Sequence, residues 1–189
     1  MAVIRKIYFI ILDFLQDIVV TLVMALALFL TVYFFLFRPF QVDGSSMFPN
    51  YLNGEYLLTN IISLRVSEPH RGDVIVFNAP PDPGKYYIKR LIGLPGDSIV
   101  LKDGDVYLNG KLLNESAYLK PSVKTYGLAY FKDNQEIKVP TSDYFVLGDN
   151  REESSDSREW GFVPKDQVIG ISFFVYWPLN EAKVISNPY

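Results

Sequence analysis

The hydrophobic and polar positions along this chain divide it into two unlike parts. Ile18 to Phe37 is twenty residues without a charged side chain, rich in Leu, Val, Phe and Ala. As a helix such a run rises about 30 Å, which matches the hydrocarbon core of a bilayer. It predicts one transmembrane helix over 18–37, with a segment 1–17 before it and a domain 38–189 after it. A removable leader has an apolar region of about 7–15 residues followed by a small-residue cleavage site. Here the bulky sequence Phe34-Phe35-Leu36-Phe37-Arg38-Pro39 follows instead, so the helix is expected to stay on the chain.

From Arg38 onward short apolar runs alternate with turn signals. Val74 to Phe77, Tyr87 to Leu94, Ser98 to Leu101, Val106 to Leu108, Tyr144 to Leu147 and Ile169 to Trp177 read as strands, being rich in β-branched and aromatic residues. Asn53-Gly54, Asp103-Gly104 and Asn109-Gly110 predict hairpins, because both residue types tolerate the positive φ of tight primed turns. The Pro-rich stretch Asn78 to Lys85 is expected to be an exposed loop between two strands. Residues 114–136 are polar and mixed and read as a surface excursion. The expected fold is mostly β: an N-terminal transmembrane helix, then a single antiparallel, barrel-like β domain.

Composition narrows the function classes. At 189 residues there is room for one membrane segment and one domain of ordinary size. A net charge of −3 argues against nucleic acid as a partner. The chain has no Cys and one His, His70, which excludes disulfides and Cys-ligated zinc. Arg5 and Lys6 before the apolar run, against Arg38 after it, favour a cytoplasmic N-terminus and an extracytoplasmic C-terminal domain.

With His scarce, a nucleophilic Ser in this chain would be activated most simply by Lys. A Lys base must be neutral, so its pKa has to fall from about 10.4 to about 8 to 8.5, which burial in an apolar setting can achieve. Strand alternation puts Tyr87, Lys89 and Leu91 on one face and Tyr86, Ile88 and Arg90 on the other. That pattern suits a desolvated Lys89 beside an ion-paired or solvated Arg90. On periodicity alone the favoured reading is instead an edge Lys whose stem covers apolar surface while its head reaches water. Gly44-Ser45-Ser46-Met47, taken alone, reads as a polar turn after the membrane exit.

The two segments gain meaning from their company. Phe40-Gln41-Val42-Asp43-Gly44-Ser45-Ser46-Met47-Phe48-Pro49, Arg71-Gly72-Asp73 leading into Val74 to Phe77, Tyr87 to Asp97, and Gly148-Asp149-Asn150-Arg151 through Ser154, Asp156-Ser157-Arg158 and Trp160-Gly161 occur in order. This succession resembles the sequence boxes of the bacterial type I signal peptidases, from the membrane helix to about Pro164. The resemblance implies Ser46 as nucleophile and Lys89 as general base, with Ser154 orienting the Lys amine. It implies Asp149, Arg151, Asp156 and Arg158 as charged supports behind the site, and the Ser46 N–H as an oxyanion donor. Some relatives carry a second donor, a Ser two residues before the nucleophile. Here that position is Gly44, leaving backbone or Ser45 to serve. Asn50 stands where the family usually has Thr.

The implied activity is a membrane-anchored serine endopeptidase that removes signal peptides from exported preproteins after a small residue, with no metal or organic cofactor. Phe40, Val42, Tyr51 and Ile88 fall near the implied substrate pockets, and an extended substrate added as an extra strand is the expected binding mode. Its expected partners are signal-peptide-bearing preproteins and the lipid bilayer. Ser46 lies eight residues from Arg38, a link of at most about 26–29 Å, which keeps the nucleophile near the bilayer surface. The rivals are a tethered β domain that binds a partner without chemistry, and a peptidase dedicated to one substrate such as a pilin. Other motifs weigh less. Arg71-Gly72-Asp73 reads as a turn into a strand, Gly96-Asp97-Ser98 lacks a nucleophile-elbow context, and His70 reads as a surface residue.

Overall fold

The computed structural model describes residues 2–189. Helix α1 runs Ala2–Leu36, and the part of it long and apolar enough to cross a membrane is Arg5–Thr31. The helix therefore begins well before Ile18, because Ile7 to Leu15 is nearly as apolar as the run after it and a few isolated charges do not interrupt helical geometry. Its other end is set by Pro39, which disfavours the α region for Arg38. The large apolar side chains of α1 from Ile7 to Leu30 lie open, Leu28 at 67% exposure.

Met1–Arg38 and Pro39–Tyr189 form separate units. After the helix the chain forms antiparallel strands: β1 Phe37–Gln41, β2 Tyr56–Asn60, β3 Val74–Asn78, β4 Tyr86–Gly93, β5 Ser98–Lys102, β6 Asp105–Leu108, β7 Lys111–Leu112, β8 Glu136–Lys138, β9 Asp143–Leu147, β10 Val163–Pro164, β11 Val168–Trp177 and β12 Lys183–Val184. Two four-residue helices, α2 Ser63–Val66 and α3 Ser157–Trp160, interrupt them. One sheet has the order β1-β2-β11-β3-β4-β9-β10, with β12 beside β11, and a smaller one has the order β7-β6-β5-β8. The large sheet keeps two edges, β1 and β10, and does not close into a barrel.

Strand β4 carries the architecture. Leu91 packs with Ile75, Phe77 and Val146 on one face, while Ile92 packs with Ile99, Phe131 and Phe145 on the other. Gly93 lets the small sheet approach, since a Cβ there would lie 2.6 Å from Ile99. Strand β3 pairs along β4 from Arg90 to Tyr86, but β9 pairs only with Arg90, Leu91 and Gly93. Tyr86 to Lys89 thus has a strand on one side and, among the described residues, none on the other.

Turn chemistry accounts for two of the three expected hairpins. Asp103-Gly104 (φ 54° and 79°) and Asn109-Gly110 (φ 51° and 76°) join β5 to β6 and β6 to β7 as primed turns. Asn53-Gly54 does not follow them. Only Gly54 has positive φ, and the turn is closed by Glu55 N–H donating to Leu52 at 3.1 Å, just ahead of β2. Residues 114–136 are not merely a surface excursion either: Phe131 and Thr125 are buried there. Single apolar residues on irregular backbone leave no periodicity to read.

Candidate active site

Ser46 sits on the turn after Val42, whose burial with Met47, Tyr51, Leu57 and Val74 ties both ends of the loop to the large sheet. Phe48 N–H donates to Ser45 at 2.9 Å and Tyr51 N–H to Met47 at 3.0 Å. Across from the loop stands β4, and the two meet where Lys89 Nζ donates to Ser46 Oγ at 2.7 Å.

Lys89 is 4% exposed. Its amine also reaches the Ile88 carbonyl at 3.1 Å and lies 5.2 Å from the centre of the Tyr87 ring. Burial lowers its pKa from 10.5 to about 8, against the opposing fields of Asp156 and Asp149. Of the two sequence readings of Lys89, the desolvated one holds and the solvent-reaching one does not.

Arg90, the next residue, is equally buried but ion-paired. Its Nε and Nη2 donate to Asp149 at 2.8 and 2.6 Å, its Nη1 donates to the Gly72 carbonyl at 2.8 Å, and its guanidinium stacks 4.2 Å from the Tyr118 ring centre. Asn50 joins this group by donating to Asp149 Oδ2 at 2.8 Å and to the Tyr118 carbonyl at 2.8 Å. Asn50 thus braces Asp149 from the nucleophile loop.

The other charged residues also lie behind the site. Arg158 pairs with Asp156 at 2.8 and 2.9 Å and donates to the Arg151 carbonyl at 2.7 Å. Asp156 also accepts from Arg158 N–H and from Gly148 N–H at 3.0 Å. Arg151 donates to the Gly148 carbonyl at 3.0 Å and to Glu115 at 3.1 and 2.5 Å, and bonds Thr125 Oγ1. Sequence reasoning missed Glu115, Thr125 and Tyr118 because they come from the irregular 114–136 segment. Gly148 is a point of close approach, since a Cβ there would lie 2.4 Å from the Ser46 carbonyl. Asn150 N–H holds that same carbonyl at 3.0 Å.

Several expected roles are not matched by contacts. Ser154 Oγ is buried and makes no hydrogen bond among the described residues, so it does not bond the Lys89 amine here. Gly44 spends its N–H on Asn53 Oδ1 at 2.9 Å, and the Ser45 hydroxyl donates to Glu153 at 3.3 Å. Both candidates for a second oxyanion donor are therefore committed elsewhere.

A cleft of about 300 Å³ opens at the pair, lined by Phe40, Asp43 to Ser46, Leu57, Val76, Tyr86 to Lys89, Glu153 and Ser155. Phe40 and Ile88 line it as expected. Ile88 and Lys89 share it despite strand alternation because the Lys89 side chain turns back toward the Ile88 carbonyl. Val42 and Tyr51 do not line it; they are buried in the core beneath the loop, at 3% and 5% exposure. Tyr86 and Tyr87 line the cleft instead. Tyr87 was visible as a face-mate of Lys89, whereas Glu153 carried no periodic signal.

The family model for signal peptidase, peptidase S26, matches residues 15–177. This chain belongs to that family. Signal peptidase I T of Bacillus subtilis is 40% identical over 166 residues, covering 86% of this chain and 85% of its own. The probable signal peptidase I-2 of Synechocystis is 37% identical over 173 residues, 88% of this chain and 75% of its own. A solved signal peptidase I from Enterococcus faecalis is 33% identical and covers 56% of this chain and 97% of its own, with a TM-score of 0.45; membership rests on the sequence matches. As a signal peptidase family member the chain is a hydrolase, a serine endopeptidase with an N-terminal helix suited to membrane anchoring.

Proposed function

We propose that this signal peptidase removes signal peptides from exported preproteins, with Ser46 as nucleophile and Lys89 as general base. The observation that carries the assignment is the 2.7 Å contact between a buried amine and the Ser46 hydroxyl. Neutral Lys89 accepts the Ser46 proton as Oγ adds to the scissile carbonyl. The resulting ammonium then protonates the departing amine, leaving an acyl-serine. Water, deprotonated by the same amine, attacks the acyl carbon and restores both groups. The Ser46 N–H is the proposed oxyanion donor, its peptide neighbourhood pinned by the Asn150 bond to the Ser46 carbonyl.

The unpaired side of Tyr86 to Lys89 supports substrate binding as an added strand, main chain to main chain, beside the nucleophile. Phe40, Ile88 and Tyr86 narrow the cleft to small side chains, in keeping with an Ala-x-Ala pattern before the cut. With the N-terminus in the cytoplasm, the catalytic unit works on the far face of the membrane, where such a site emerges.

The test is cleavage of a preprotein with an Ala-x-Ala site in detergent or lipid, across pH 6 to 10, by wild type, Ser46→Ala and Lys89→Ala. Cleavage after the small residue by wild type alone is expected. Full activity in Ser46→Ala would remove the nucleophile assignment.

A further inference from the structure

Residues 183–189 fold back over the rear of the site. At one end Lys183, on β12, donates from Nζ to the Asn50 carbonyl at 2.7 Å and lies 3.4 Å from Glu55 and 5.4 Å from the Tyr51 ring centre. Glu55 is 1% exposed, and its second oxygen has no hydrogen bond among the described residues. Next, Ile185 packs on the cluster of Val42, Met47 and Tyr51 that underlies the nucleophile loop. At the other end Asn187 donates to the Arg71 carbonyl at 2.9 Å and to Asp73 at 2.7 Å, and Tyr189 reaches the Tyr118 hydroxyl at 3.1 Å. Asn187, Pro188 and Tyr189 lie so close over Gly72 that a Cβ there would be 2.7 Å from the Tyr189 ring.

Both ends therefore rest on groups already tied to the catalytic pair. Asn50 follows Ser46 by four residues and holds Asp149, the partner of Arg90. Gly72 offers the carbonyl that takes the third Arg90 bond, and Tyr118 is the ring on which Arg90 stacks. We propose that residues 183–189 are a strap that positions the nucleophile loop against β4, with Lys183 as its positioning residue at the Asn50 carbonyl. The catalytic part of this proposal rests on the Ser46 and Lys89 reading above.

A strap that merely neutralises Glu55 and one that positions the loop predict different outcomes. Lys183→Met alone leaves a buried carboxylate without its cation, and should lower the melting temperature as well as the rate. Lys183→Met with Glu55→Gln removes both charges. There the melting temperature should recover while kcat on the preprotein stays about ten- to a hundredfold down at nearly unchanged KM, the cost of a small misplacement. Lys183→Arg, which can still reach the carbonyl, should restore most of the rate. Hydrogen exchange at the amides of Phe48, Tyr51 and Asn150 should be faster in the double variant. Full recovery of both rate and exchange protection in the double variant would overturn the strap. If wild type cleaves nothing, the catalytic reading falls and amide exchange alone decides: faster exchange upholds the strap as what orders the loop, and unchanged exchange ends it.

Discussion

Lys89 and Arg90 are neighbours on one strand, equally buried at 4% and 3%, and they meet opposite fates. Behind the strand, Arg90 is given a bidentate carboxylate, a carbonyl and an aromatic face, and its pKa rises because Asp149 outweighs desolvation. In front, Lys89 is given a hydroxyl, a carbonyl and a ring, with Asp149 and Asp156 acting on it through space rather than by contact. A base is made here by withholding a carboxylate, and a scaffold by supplying one. The difference lies in which face of β4 each side chain meets.

The comparison breaks most visibly at Lys89 itself. Lys89→Met should abolish cleavage, a loss of about 10³-fold or more for a general base. It should also raise stability at neutral pH by up to about 3 kcal/mol, since lowering the Lys89 pKa from 10.5 to about 8 measures the cost of holding the charged amine buried. Denaturant unfolding checks the second half; an unchanged midpoint would mean that the amine is hydrated.

On the other side, Asp149→Ala strands the Arg90 guanidinium, and a loss of about 3–5 kcal/mol is expected in the same measurement. A smaller effect concerns pH. Below about 8 both folded and unfolded states hold the Lys89 proton; between about 8 and 10.5 only the unfolded state does. The unfolded state therefore binds more protons in that window, and the Lys89 contribution to stability should rise with pH across it while being at its most unfavourable below. Activity should climb through the same lower limit, and Lys89→Met should erase the stability slope.

Giving Lys89 what Arg90 has makes a sharper test. Tyr87→Glu should bring a carboxylate toward the amine and move the acid limb of kcat/KM above pH 8, whereas Tyr87→Phe should leave it in place. Ser154→Ala ranks last. Its hydroxyl has no partner to lose, so stability should change by less than about 1 kcal/mol.

An uncharged apolar run favours a membrane-length helix, and alternation closed by Asp103-Gly104 and Asn109-Gly110 sets the β5-β6-β7 hairpins, because both follow from interactions between residues close in sequence. The ordered motifs likewise bring Ser46 and Lys89 into one reading through their resemblance to a family. Tertiary structure alone decided which charges pair, because Asp149 finds Arg90 rather than Arg151, and Arg151 finds Glu115 from a segment with no pattern at all. It also decided that Val42 and Tyr51 are floor rather than wall, that Ser154 stands unbonded, and that residues 183–189 return to the Asn50 carbonyl. These are long-range contacts on irregular backbone, fixed by packing and desolvation, for which no local period in the sequence exists.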